Sequence, residues 1–225
     1  MTKYMFALWG DGAGALLGAG PREELAAAGV TRLQVNLDDE PVAQAMRIPT
    51  TEPAISAVVS VWTASGPTGL GDVLAVLGES SDRVAGWQVD ERRPIDPPEM
   101  GEGVRADALA NVALLRRPAE LTHEEWLHRW LVDHTPVAIA TQATFGYLQN
   151  VVVEAVTPEA PPVAALVEEL FPAAAVSDMH AFYGSDGDDA ELTDRLTRLM
   201  DSVTRIGADR DLDLVPSSRY LFDPL

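Results

Sequence analysis

The chain has 225 residues, 47% of them hydrophobic, with no cysteine and a formal charge of −19 from 16 basic and 35 acidic side chains. A field of that sign repels phosphate backbones and anionic lipid, so neither nucleic acid nor a membrane surface is an expected partner. Without cysteine there are no disulfides, thiolate nucleophiles or cysteine-held metals.

Residues 3–9 (KYMFALW) read as a strand, and residues 21–28 (PREELAAA) as a helix with Pro21 at its start and Gly29 beyond its end. Residues 31–37 alternate like a half-buried strand, and residues 54–62 (AISAVVSVW) form a longer one. A short helix over 70–77 and an alternating strand over 84–91 complete the first half. Three prolines and two glycines in RRPIDPPEMGEGVRA, from Arg92, mark a linker. The predicted organisation is therefore 1–91, a linker at 92–108, and 109–225.

The second half begins with a strand over 109–115 and a strong helix over 122–133, opened by a Thr122/Glu125 capping box. A strand over 145–156, an added helix over 161–171 and a strand over 178–183 (DMHAFY) follow. An amphipathic helix over 189–206 and a closing strand over 218–222 end the chain. Both halves thus follow the order βαββαβ, the ferredoxin-like unit. Helices cover one face of such a sheet, and the other face needs a partner. The expected fold class is α+β, with two tandem ferredoxin-like units packed sheet to sheet around a shared apolar chamber.

On the helix over 122–133 and its extension, His123, Leu127, Trp130 and His134 share one stripe. Pro136 disfavours helical geometry at Thr135, placing His134 where the helix bends or stops. There the helix dipole would favour a protonated ring able to move protons near neutral pH. The simpler alternative is a structural histidine bonded to a carbonyl.

Leu-Leu-Arg-Arg-Pro (114–118), Leu-Thr-His-Glu-Glu-Trp (121–126), Trp-Leu-Val-Asp-His-Thr-Pro (130–136) and Gly-Tyr-Leu-Gln-Asn (146–150) together resemble the EthD-like family of the dimeric α+β barrel superfamily. The resemblance lies mainly in the second half, leaving the first as a degenerate repeat. It implies a ferredoxin-like unit paired into a barrel. His134 matches the histidine of the Trp-x-x-x-His stretch, and Tyr147, Gln149 and Asn150 match the Tyr-x-Gln-Asn strand. Where many relatives continue with a further histidine, this chain has Val151, with His180 as a candidate replacement.

The resemblance implies a cofactor-free enzyme of isomerase, cyclase, lyase or oxygenase type, acting on a small hydrophobic or aromatic carbonyl compound. In it, His134 would transfer the proton and Tyr147 or His180 would hold an oxyanion. Trp130, Leu127, Gln149 and Asn150 would contact the substrate. Haem serves some barrels of this superfamily, and His134 would be its axial ligand, but no residue pattern marks a haem pocket. No metal site is expected, since the histidine spacings supply no third ligand. The alternative is a non-catalytic protein of the same fold that holds a hydrophobic ligand or acts in assembly. A nicotinamide-nucleotide reading of the glycines between Gly10 and Gly20 ranks third, because their spacing and Pro21 depart from the dinucleotide-binding pattern. A cytoplasmic location is expected, because the opening segment is too short for a secretory leader. Internal pairing leaves a homo-oligomer open.

Overall fold

The computed structural model describes residues 1–64 and 69–225. The first half contributes β1 (Thr2–Trp9), α1 (Ala19–Ala27), β2 (Val30–Leu37), β3 (Ala57–Thr63), α2 (Leu70–Glu79) and β4 (Arg83–Ile95). The second contributes β5 (Leu109–Leu115), α3 (His123–His128), α4 (Thr135–Thr141), β6 (Gly146–Ala155), β7 (Ala165–Phe171), α5 (Met179–Tyr183), α6 (Asp189–Ile206) and β8 (Asp213–Phe222). The strands close into one barrel in the order β1-β3-β2-β8-β5-β7-β6-β4. All eight pairings are antiparallel, and the halves join through β2 with β8 and β4 with β6. Each half has its own fourth, first, third and second strands side by side, the ferredoxin-like order. Closure leaves none of these strands with an unpaired edge.

Two predicted elements change type. The helix expected over 161–171 is strand β7, and the strand expected over 178–183 is the short helix α5. The run AALVEELF places apolar residues and two glutamates where either period fits. Its length and the barrel's need for a third strand decide for β. Residues 178–183 instead form one helical turn, capped by Asp178 Oδ1, which accepts from His180 N at 2.8 Å, and ended by Gly184 at φ +67°. β4 also runs on to Ile95, into the segment expected to be linker.

Alternation along β1 sets the two faces. Tyr4, Phe6 and Leu8 point outward, where Leu16, Leu25, Val73 and Leu77 bury them. Met5, Ala7 and Trp9 point inward against Trp87, Val112, Leu114 and Leu166. At the other end of the interior stands the chain's single lysine. Lys3 Nζ donates to Glu168 Oε1 at 2.8 Å, Asn150 Oδ1 at 2.8 Å and Glu91 Oε2 at 2.7 Å. Gln34 Nε2 donates to the other Glu168 oxygen, and Arg219 donates to Gln34 Oε1 at 2.8 Å. The space between the sheets is thus apolar at one end and ionic at the other, where it opens into a polar cavity of about 610 Å³ lined by Arg32, Arg93 and Arg219. The principal apolar chamber lies on the outer face of the second sheet, beneath its helices, rather than between the sheets as the sequence suggested.

Candidate active site

Thr122 opens α3 as the capping residue, its Oγ1 accepting from Glu125 N at 3.2 Å. The helix then widens into a π-helical turn over Arg129–His134 and continues as α4, so Pro136 does not end it. Proline has no N–H to give to the turn below, and the wider pitch, with Thr135 N donating to Trp130 O, carries the chain past it. Gln149 Nε2 donates to Thr135 Oγ1 at 2.7 Å, and Thr135 Oγ1 donates to Trp130 O at 3.0 Å. The sheet therefore braces the turn that aims Trp130 and His134 at it.

The chamber measures about 330 Å³. Across its floor runs a row of three polar side chains. Asn111 of β5 is the register partner of Glu169 of β7, and Glu169 is the partner of Tyr147 of β6. Side chains so paired stand about 5 Å apart at Cβ. The Glu169 carboxyl makes no hydrogen bond or ion pair with the described residues. It is half-buried, facing the chamber, and burial raises its pKa to about 7. Burial raises that of Tyr147 too, with the charge of Glu169 adding to the effect, so its hydroxyl remains a donor throughout the neutral range.

The walls come from three sources. Trp130 Nε1 is buried and faces the Tyr147 hydroxyl, without a hydrogen bond of ordinary geometry among the described residues. Phe182 stacks on Phe171 at 4.1 Å and meets Tyr183 edge-on at 5.1 Å. The third wall is a strap from the first half, the connection between β2 and β3, which lays Met46 and Ile48 over the chamber. Ile48 bridges to Leu214 through reciprocal backbone bonds of 3.1 and 2.8 Å. Asp213 Oδ1 accepts from Thr50 N at 2.7 Å and from Thr50 Oγ1 at 2.8 Å, while Arg116 donates to Oδ2 at 2.6 Å.

Of the residues singled out in the sequence, His134, Tyr147 and Trp130 meet in this chamber. His134 is 7% exposed, its Nδ1 lies 2.9 Å from Ser202 Oγ, and burial lowers its pKa to about 4. Desolvation thus outweighs the dipole expected to favour a charged ring. Gln149 braces the π-turn from outside the chamber wall, and Leu127 packs behind it among Trp126, Trp130 and their neighbours. Asn150 points to the opposite face, into the barrel, where its amide donates to Leu166 O and Glu168. His180 stands apart at α5, with Nδ1 2.7 Å from Ser185 Oγ and Nε2 3.4 Å from Asp189. It does not join Tyr147. Glu169, Asn111, Tyr183 and Met46 were missed. The period-two row Ala165, Val167, Glu169, Phe171 was the available signal for the first of them.

No family model matches the chain, and no curated protein does. Among solved structures, it is similar to an anthrone oxidase-like protein, with a TM-score of 0.61 and 11% identity over 98% of this chain and 92% of that one. It is also similar to a protein from Lactobacillus acidophilus assigned provisionally as a monooxygenase, with a TM-score of 0.51, 8% identity and coverage of 99% and 96%. A protein of the same provisional assignment from Fusobacterium nucleatum gives a TM-score of 0.51, 10% identity and coverage of 99% and 93%. At such identities the likeness speaks for fold alone, and the fold is the dimeric α+β barrel completed within a single chain.

Proposed function

We propose that the chain is a cofactor-free enzyme of EthD-like type that enolises a small hydrophobic or aromatic carbonyl compound. One observation carries this reading: a carboxyl group without a cation, Glu169, lies on the floor of an apolar chamber between an amide and a phenol, Asn111 and Tyr147. A carboxylic acid with a pKa near 7 exists in both forms at neutral pH, the condition for efficient proton transfer. Ionised Glu169 takes a proton from the carbon beside the carbonyl, leaving an enolate and a neutral acid. The Tyr147 hydroxyl and the Trp130 N–H are the donors available to the enolate oxygen. The protonated Glu169 then returns its proton elsewhere on the carbon skeleton, giving an isomer. Alternatively, with dioxygen as the oxidant, the enolate carbon forms a C–O bond to it and the resulting peroxide takes the proton from Glu169, giving a hydroperoxide, in line with the oxidase and monooxygenase names of the structural neighbours.

The role expected of His134 passes to Glu169, because an imidazole held at about 4 is too weak a base for this step. A chamber of about 330 Å³ suits a small molecule better than a macrocycle such as haem. The open chamber with unpaired polar groups also favours ligand chemistry over a purely structural role in assembly.

The test needs no knowledge of the natural product. The protein is incubated in D₂O with 1-tetralone and 1-indanone, and deuterium beside the carbonyl is followed by mass spectrometry. Exchange above the buffer rate is expected, falling by about 100-fold or more in Glu169→Gln. Equal exchange by wild type and variant would remove Glu169 from the chemistry.

A further inference from the structure

We propose that the ligand site is longer than the main chamber and takes an elongated, uncharged molecule with a hydrogen-bond donor near the middle of its length. This deepens the preceding reading, resting on its placement of the ligand in the chamber, but it concerns binding alone.

A recess of about 210 Å³ lies beyond the chamber, under the turn Ala173–Val176 and the start of α5. It shares Met46, Asn111 and Phe182 with the chamber. The two spaces are therefore lobes on either side of the strap residue Met46, with Asn111 between them below and Phe182 as a common wall. Met46 is 59% exposed and unbranched, so it can swing aside or lie along a ligand that passes beneath it. No charged side chain is among the described residues lining the recess, and Leu109, Ala175, Val176 and Met179 make most of its surface apolar. An uncharged, apolar extension fits there.

Asn111 supplies the polar requirement. It is 3% exposed, and its Oδ1 is buried without a hydrogen-bond partner among the described residues. Buried acceptors are nearly always satisfied, and this one sits where the two lobes meet. A hydroxyl or N–H at the centre of a two-lobed ligand would satisfy it. A molecule confined to one lobe would leave the other empty.

N-phenyl-1-naphthylamine has this form: two aromatic groups joined through one N–H, with fluorescence that rises in apolar surroundings. 1-Phenoxynaphthalene has the same outline with an ether oxygen in place of the donor, and 1-naphthol fills a single lobe. The amine is expected to bind about tenfold more tightly than the ether in displacement titrations, a preference that Asn111→Leu removes. Ser177→Trp, placed on the exposed rim of the recess, is expected to weaken the amine about tenfold and to leave 1-naphthol unchanged. The proposal is overturned if the ether binds wild type as tightly as the amine, or if Ser177→Trp leaves the amine's affinity intact. Retained 1-naphthol binding in either case would leave the chamber itself standing as a ligand site. Deuterium exchange in Glu169→Gln tests the catalytic reading separately.

Discussion

Glu168 and Glu169 are consecutive on β7, yet their carboxyl groups occupy opposite faces of one sheet and are driven in opposite directions. Burial opposes the charge of Glu168, but Lys3 at 2.8 Å and Arg219 overcome it, holding its pKa at about 2. Glu169 is only half-buried but has no cation beside it among the described residues, and burial raises its pKa to about 7. One peptide unit thus separates a structural anion from the carboxyl to which proton transfer is assigned in the proposed function, because side chains alternate along a strand.

Glu169 and His134 make opposing contributions to stability over one pH range. The folded value of Glu169 lies above its unfolded value of about 4.3, so its cost is absent below that pH and grows as pH rises to 7. The folded value of His134 lies below its unfolded value of about 6.5, so its cost is absent above that pH and grows as pH falls to 4. Relative to wild type, Glu169→Gln should gain about 1–3 kcal/mol at pH 7.5 and nothing at pH 4. His134→Gln should gain a similar amount at pH 4 and nothing at pH 7.5. Urea titrations of the three proteins at the two pH values measure this. Parallel shifts at both would show that neither group titrates as assigned.

Lys3 should be essential to the barrel, whereas the ion pair it makes should be replaceable in part. Lys3→Met leaves Glu168 and Glu91 without their buried cation and should cost about 3–5 kcal/mol. Combining it with Glu168→Met should recover part of that loss, since the buried Glu168 charge no longer needs compensation while Glu91 has still lost Lys3 and Arg219 has lost Glu168. Chemical denaturation of both variants checks the difference. Equal losses in single and double variants would mean that packing, not charge, sets the cost.

The strap depends on Asp213, which is 3% exposed and holds Thr50 and Arg116 at once. Asp213→Asn keeps the shape but removes the charge, and should cost about 2–4 kcal/mol of local or global stability. Hydrogen exchange should rise between Asp38 and Ser56 before it rises in β1 or β5. Uniform exchange across the barrel would show that the strap is not a separable unit.

Trp130→Phe removes the indole N–H together with part of the ring volume, at a fully buried position whose ring lies 5.2 Å from that of Trp126. Deuterium exchange into a ketone probe should fall by about 10–100-fold under conditions where the variant, less stable by about 1–3 kcal/mol from the cavity left, is still folded, since the proposed enolate donor is lost. Unchanged exchange would remove the indole from the site.

Much of the architecture follows from local pattern. Alternation over residues 3–9 and 84–91 places their strands, and the Thr122 cap and the stripe ending in His134 place the helix over the sheet. The order of elements in two halves implies a pair of ferredoxin-like sheets. Trp130, His134 and Tyr147 are identifiable because their spacing and resemblance are local properties of the chain. Glu169 is not, since a Glu-Glu pair in an alanine-rich run looks like a solvated helical face. Only barrel closure separates the two glutamates, by bringing Lys3, 165 positions away, to one of them and an apolar chamber to the other. The location of that chamber is also a tertiary result. The sequence specifies which faces are apolar, but tertiary packing decides which space stays open: charged side chains line the open end of the barrel interior, and a strap from the first half roofs the apolar chamber on the second outer face.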